Sequence, residues 1–324
     1  MVYCWCDGSD PAFIERKKQY LAMESEMPGE GEAGEYRFSD NEELRYSLRS
    51  LAKFVPWIRH VYIVTDRQQP RWLDASCDKL TVVDHSEILP PALIPMFESA
   101  TIERYLAEIP GLSEHFLYGN DDMFFGRPLA PSFFFSAEGR PRVYVKHYER
   151  YREVKDEADF RRKYEDSPTW MDTNLNSWKL LYENYHRHEF YVLAHTIDAY
   201  TKTLFREVLR RYRSAFDAND PLRFRTEYDI SRNIFGLDMA YSGKADMEVI
   251  EKPGFWQKHI HKSANYHWKC YCGSENGKTR KEIRRFEPEL FCVNAESHAS
   301  AEEKRAMRAF YEELFPEPSP FERA

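Results

Sequence analysis

Four short β-rich runs in the first 125 residues each stop at an acidic side chain. Val2 to Cys6 ends at Asp7, Val61–Val64 at Thr65-Asp66, Leu80–Val83 at Asp84, and Phe116–Tyr118 just before Asn120-Asp121-Asp122. Helical patterns separate them. Leu44, Leu48, Leu51 and Val55 recur at spacings of three and four before Pro56, and a second helical stretch covers 97–108 before Pro110-Gly111. Strands alternating with helices predict an α/β fold with a parallel sheet. In open sheets of that kind ligands bind at the carboxyl ends of the strands. Asp7, Asp66, Asp84 and Asp121 are therefore expected along one rim.

The Asn120-Asp121-Asp122 tail is the sharpest chemical signal. Adjacent carboxylates at a strand end are costly unless a positive charge sits beside them. A divalent cation carrying a diphosphate meets that need, so Asp121 and Asp122 are the candidate ligands for Mg²⁺ or Mn²⁺. The plainer reading is a capped strand end with hydrated carboxylates.

Other candidates cluster upstream. Trp5, Asp7, Gly8 and Asp10 are expected to line a nucleotide pocket, with Gly8 permitting close backbone approach and an Asp accepting from uracil N–H or ribose hydroxyls. Their alternative is an ordinary strand-to-helix turn. Asp40 reads as a helix N-cap with Glu43 as its capping-box partner. Asp40, Asn41 and Arg45 share the first turn and a half, where free N–H groups favour an anion. Arg45 and Arg49 lie four apart on one face and could meet a phosphate or a surface acid.

Three regions follow: an α/β core over 1–150, a charged and mainly helical lobe over 151–250 carrying His195 and Arg225, and a C-terminal segment over 251–324 packing back on the core. Residues 253–288 read as irregular, and a final helix covers about 300–314. His259, His261, His267, Cys270 and Cys272 lack the Cys-x-x-Cys spacing of structural zinc sites, so a basic aromatic loop is the preferred reading there.

Composition narrows the classes. A formal net charge of −8 argues against nucleic acid as a partner. Six cysteines in 324 residues do not make a disulfide scaffold. No run reaches the roughly 18 apolar residues of a membrane span, and Met1–Trp5 does not read as a signal peptide. The expectation is a cytoplasmic, soluble protein, compatible with peripheral contact with a membrane export complex.

Longer stretches carry a family likeness. Arg37-Phe38, Asp40–Ser50, Pro56–Asp66, Ile109–Tyr118 and Asn120-Asp121-Asp122 resemble the second block of the Stealth family of sugar-1-phosphate transferases. That family includes bacterial capsular polysaccharide phosphotransferases and the animal enzyme that adds N-acetylglucosamine 1-phosphate to lysosomal glycoproteins. Tyr3, Trp5 and Asp7–Pro11 resemble its first block, Leu193–Asp198 part of its third, and Phe291–Asn294 through Phe315–Glu322 its fourth. The chain departs from the pattern at Cys4, Cys6, Glu98, Ala199 and Ala295.

The resemblance implies a Rossmann-like core related to type-A glycosyltransferases, with a helical insertion. It implies transfer of a hexose or hexosamine 1-phosphate, such as N-acetylglucosamine 1-phosphate, from a UDP-sugar to an oligo- or polysaccharide hydroxyl, with release of UMP, in capsule or exopolysaccharide synthesis. His195 would be the general base, with Asp198 able to orient it. Arg225 would grip the β-phosphate, and Ser99 and Asn294 would complete the donor site beside Asp121. Two rivals stand: a glycosyltransferase of the same architecture that releases UDP, and a non-catalytic carbohydrate-binding relative.

Overall fold

The computed structural model describes residues 1–23, 33–147, 154–163, 169–220, 222–250 and 267–323. Its main sheet contains β1 (Val2–Cys4), β2 (Val61–Thr65), β3 (Leu80–Asp84), β4 (His115–Asn120) and, further along the chain, Asp198–Thr201. The order across the sheet is β3-β2-β1-β4 and then Asp198–Thr201, the first four strands parallel and the last antiparallel. The chain moves outward from β1 to β3 and then returns to place β4 on the other side of β1. That reversal is the topological switch point, where an open α/β sheet forms its ligand crevice. In register, Cys4 of β1 lies opposite Asn120 of β4. The crevice therefore opens between Trp5-Cys6 and Asp121-Asp122.

β2 shows why such a sheet forms. Every residue of Val61–Thr65 is buried, as expected of an apolar β-branched run covered on both faces. On one face, Leu44, Leu48 and Leu51 of the helix Glu43–Phe54 pack with Tyr3, Ile63 and Leu117. On the other, Val64, Tyr118, Tyr200 and Phe205 join a larger core.

Two smaller sheets complete the fold. β5 (Met123–Phe125) leaves the Asp121-Asp122 turn, and β6 (Arg142–His147), β7 (Tyr191–Leu193), β8 (Asp198–Thr201, the antiparallel edge strand above) and β9 (Asp246–Val249) follow. β7-β6-β9 form one three-stranded sheet. β10 (His267–Cys272) and β11 (Leu290–Ala295) run parallel, and β11 pairs antiparallel with β5.

Several expectations needed correction. Residues 151–250 are rich in helix, notably Thr169–Tyr185, Lys202–Arg211 and Asn233–Tyr241, yet β8 of this stretch is the fifth strand of the main sheet. The stretch is thus woven into the core. The helix after Asp40 starts at Glu43: Glu42 stands at its N-cap with a left-handed backbone (φ 65°), and Asp40 closes a turn onto the Glu42 N–H instead. The stretch 97–108 is a six-residue helix, Ser99–Arg104, followed by a 3₁₀ turn over Leu106–Glu108. Within the supposedly irregular 253–288, strand β10 and the helix Asn276–Phe286 are regular. That helix buries only Asn276, Thr279 and Ile283, so its apolar stripe is too sparse to read. His259 and His261 lie outside the described residues, as do the side chains of His267, Cys270 and Cys272.

Candidate active site

A cavity of about 560 Å³ occupies the switch-point crevice. Trp5, Ser99, Asp121, Asp122, His195, Arg225 and Asn294 all line it. The β4–β5 turn delivers Asp121 and Asp122, the loop between β7 and β8 brings His195, and β11 contributes Asn294.

One wall is acidic. Asp121 has its carboxyl pushed well above the usual range by burial and by the charges of Asp122, Glu43 and Asp40. Burial, with Asp40 adding to it, lifts Glu43 to about 8, and burial takes Asp40 to about 6. Asp122 is fixed by its neighbours: its Oδ2 accepts from Asn294 Nδ2 at 2.6 Å and from Cys292 Sγ at 3.3 Å. Among the described residues no group of three or more His, Cys, Asp or Glu side chains is arranged to hold a metal ion. Two carboxylates suffice for an ion that takes its remaining oxygens from phosphate and water.

Basic side chains line the cavity as well. Arg225 sits by Glu98 (Nε–Oε2 and Nη2–Oε1, both 3.4 Å) and Ser99 (3.2 Å). These contacts are long, and the guanidinium is largely buried beside the cavity. Burial lowers the pKa of Arg37, and the charge of Arg225 adds to it. Lys146 and Arg232 also line the cavity. Burial disfavours the Arg232 charge, but Asp198 and Glu103 overcome that and raise its pKa. Its Nε is 3.3 Å from Asp198, and Tyr118 Oη donates to Glu103 at 2.8 Å. Asp198, the expected orienter of His195, thus engages Arg232 and also accepts from Tyr200 Oη at 3.4 Å.

Other expected site residues do not line the cavity, and the reasons are visible. Asp7 Oδ1 accepts from the Ser9 N–H and hydroxyl, at 2.8 and 2.6 Å. Asp10 caps the helix Pro11–Leu21 through the Phe13 N–H. Gly8 does allow close approach, but to the Phe38 backbone: its N–H donates to Phe38 O at 2.6 Å, and an added Cβ would lie 2.5 Å from that oxygen. Asn41 ties down Lys304 O at 3.1 Å, and Arg45 pairs with Glu42 and Glu322. Arg49 meets Glu312 and Glu322. The two arginines meet acids of the protein, as the plainer sequence reading had it. Asp40 does not line the cavity; it acts through its charge on Asp121 and Glu43.

Glu43, Glu98, Glu103 and Arg232 were missed as site residues. Each is a buried or nearly buried charge in a helix or at a helix end; Glu43 showed only as a capping-box partner, and the other three carry no local motif. Their one sequence signal is a charge placed within an apolar pattern.

Sequence comparisons identify relatives of the chain. Residues 37–143 match the model of Stealth protein conserved region 2, and residues 281–324 that of conserved region 4. An exopolysaccharide phosphotransferase of Streptomyces coelicolor is 34% identical over 100% of this chain, which spans 52% of that protein. Capsular polysaccharide phosphotransferases of Aeromonas hydrophila and Neisseria meningitidis are 33% and 35% identical over 91% and 72% of this chain, and 78% and 62% of theirs. Among solved structures, the galactosyltransferase LgtC, bound to donor and acceptor sugar analogues, aligns over 87% of this chain and 94% of its own, with 10% identity and a TM-score of 0.43. No helix among the described residues is long and apolar enough to cross a membrane. With both conserved-region models matched and phosphotransferase relatives aligned over most of its length, the chain belongs to the Stealth family of polysaccharide phosphotransferases.

Proposed function

We propose that this protein transfers a hexosamine 1-phosphate, such as N-acetylglucosamine 1-phosphate, from a UDP-sugar to a hydroxyl of a growing surface polysaccharide and releases UMP. The observation that carries this reading is one cavity lined both by acids, Asp121 and Asp122, and by bases, Arg225 and Arg37. A diphosphate bridged to a divalent cation is complementary to both sets at once.

The acidic wall suits Mg²⁺ or Mn²⁺, because carboxylates that raise one another's pKa are relieved by a cation. Asp121 and Asp122 would hold it, and when bound it would neutralise charge on the phosphoryl oxygens. Arg225, held to Glu98 by long contacts, would fork onto the β-phosphate. His195, on the cavity wall, accepts the proton of the acceptor hydroxyl. The acceptor oxygen bonds to the β-phosphorus, the bond from that phosphorus to the bridging oxygen breaks, and UMP departs with the electron pair. Positioning and charge neutralisation supply most of the rate enhancement in such transfers. Asn294 helps indirectly, by fixing Asp122.

The test is incubation with a panel of UDP-sugars, Mg²⁺ and oligosaccharide fragments, with products read by mass. UMP and a phosphodiester-linked sugar are expected. UDP would mean an ordinary glycosyltransferase, and glycan binding without metal-dependent turnover a non-catalytic relative. Peripheral association with an export complex would be read by co-fractionation with membranes.

A further inference from the structure

Two stretches far apart in sequence are stitched together at the cavity wall. The Phe97 N–H donates to Arg223 O at 3.1 Å, and the Phe97 ring stacks on Phe224 with centroids 5.0 Å apart. The residues that follow each ring, Glu98 and Arg225, both line the cavity and meet there. Glu98 is anchored a second time: its Oε1 caps the helix Ser99–Arg104 through the Ala100 N–H, at 3.0 Å.

The Glu98–Arg225 contact is a fork of unusual length. Nε faces Oε2 and Nη2 faces Oε1, the two-bond arrangement in which a guanidinium takes a carboxylate or a phosphate, yet both distances are 3.4 Å. Charge-assisted bonds of this kind normally close to about 2.7–2.9 Å. The backbone stitching and the helix cap hold the carboxylate back. Both side chains are nonetheless shielded, 19% exposed for Arg225 and 3% for Glu98. Burial disfavours the Arg225 charge, and the Glu98 carboxylate overcomes that penalty. Arg37 feels both: burial and the Arg225 charge lower its pKa, and Glu98 works the other way. Asp229, another carboxylate acting on Arg225, accepts from the Thr226 N–H through Oδ2 at 2.8 Å.

From this geometry we infer that Glu98 is a positioning residue, an internal counter-anion that presents the Nε–Nη2 edge of Arg225 to the cavity and yields that edge to the β-phosphate of the donor. The inference rests on the nucleotide-donor reading above. A carboxylate and a phosphate cannot both fork onto one edge. After the exchange the Glu98 charge stays beside the phosphate and weakens its hold. Glu98 therefore keeps a buried arginine in place at the cost of affinity for whatever phosphate replaces it.

The test is calorimetric titration of the full chain with UDP, which has a β-phosphate, and with UMP, which lacks one, both with Mg²⁺. Glu98→Gln keeps an oxygen for the Ala100 N–H and removes the charge. It is expected to tighten UDP about tenfold and UMP less than about threefold. The gain should vanish in an Arg225→Met background, because it acts through that arginine. A merely structural Glu98 predicts the opposite, a loss of affinity. Should the glutamine variant fail to fold, magnesium pyrophosphate should restore a cooperative melt by replacing the lost anion, and no rescue overturns the inference. Unchanged or weaker UDP binding, equal gains for UDP and UMP, or a gain that persists without Arg225 also overturns it. Sugar-phosphate transfer with UDP affinity indifferent to Glu98 sinks this role alone. A wild-type protein that does not bind UDP sinks the nucleotide-donor reading; magnesium pyrophosphate bound tighter by Glu98→Gln then upholds the counter-anion, and pyrophosphate bound equally removes it as well.

Discussion

Replacing Glu322 with Gln should destabilise the whole molecule, although it lies two residues from the end of the chain. Glu322 and Arg49 are both nearly sealed from water, with side chains 3% and 4% exposed. Arg49 forks onto Glu322 with Nε to Oε1 at 2.8 Å and Nη2 to Oε2 at 2.9 Å. Arg45 Nε adds 2.6 Å to Oε2, and the Ser319 N–H adds 2.8 Å to Oε1. Removing one partner of a buried pair typically costs about 3–5 kcal/mol. Here Arg49 keeps Glu312 at 2.9 Å and Phe315 O at 2.9 Å, and Arg45 is partly solvated. Those factors lower the expectation to about 2–3 kcal/mol, or a melting point lower by about 3–4 °C.

The pH dependence has a definite sign. Burial works to raise the Glu322 pKa, but the bonds from Arg49, the Ser319 N–H and Arg45 outweigh it and hold the carboxyl at about 2. A group depressed on folding stabilises fully above its unfolded value, about 4.3, and loses that contribution as pH falls toward 2. The gap between wild type and Glu322→Gln should therefore be constant from pH 6 to 8 and narrow below about 4.5. Thermal melts followed by tryptophan fluorescence at pH 7 and pH 4 would measure it. A gap under about 1 kcal/mol at neutral pH, or one that widens on acidification, would refute the reasoning.

Further outcomes follow from the same geometry. Asp121→Asn should abolish metal-dependent turnover while holding or raising the melting point in chelator, because it removes one of four mutually repelling carboxylates; a clear loss of stability would contradict that. His195→Ala should lower kcat by about 10²–10⁴ with intact nucleotide binding, and a near-normal rate removes it as the base. Arg225→Lys should raise KM for the donor and lower kcat, since a lysine cannot fork; kinetics with the variant equal to wild type would exclude the phosphate role. Gly8→Ala should cost about 1–3 kcal/mol through the clash with Phe38 O, seen in denaturant titration, because Gly8 serves backbone packing rather than a ligand.

The four parallel strands were legible because each is a short apolar run closed by a turn or an acid, and their alternation with helices fixed the fold class. Asp121 and Asp122 were legible for the same reason: their position follows from β4 ending where it does. Reading along the chain could not choose where polar side chains find partners distant in sequence. Arg45 and Arg49 were open to a phosphate or an acid, and the acid is Glu322, 277 and 273 residues away. Asp7 and Asp10 sit on the correct rim but spend their oxygens on the local turn and helix cap. Arg232 and Glu103 meet at 3.9 Å from elements far apart in the chain, which no spacing rule can report.

The bond from Asn294 to Asp122 has an unexpected bearing on biogenesis. The floor of the crevice is laid by the β4–β5 turn, but the Asn294 on β11 that buttresses it is added 172 residues later in synthesis. A nascent or clipped polypeptide ending before residue 290 would carry both tandem aspartates and stay inert. Supplying the missing tail as a separate peptide becomes a way to switch such a fragment on.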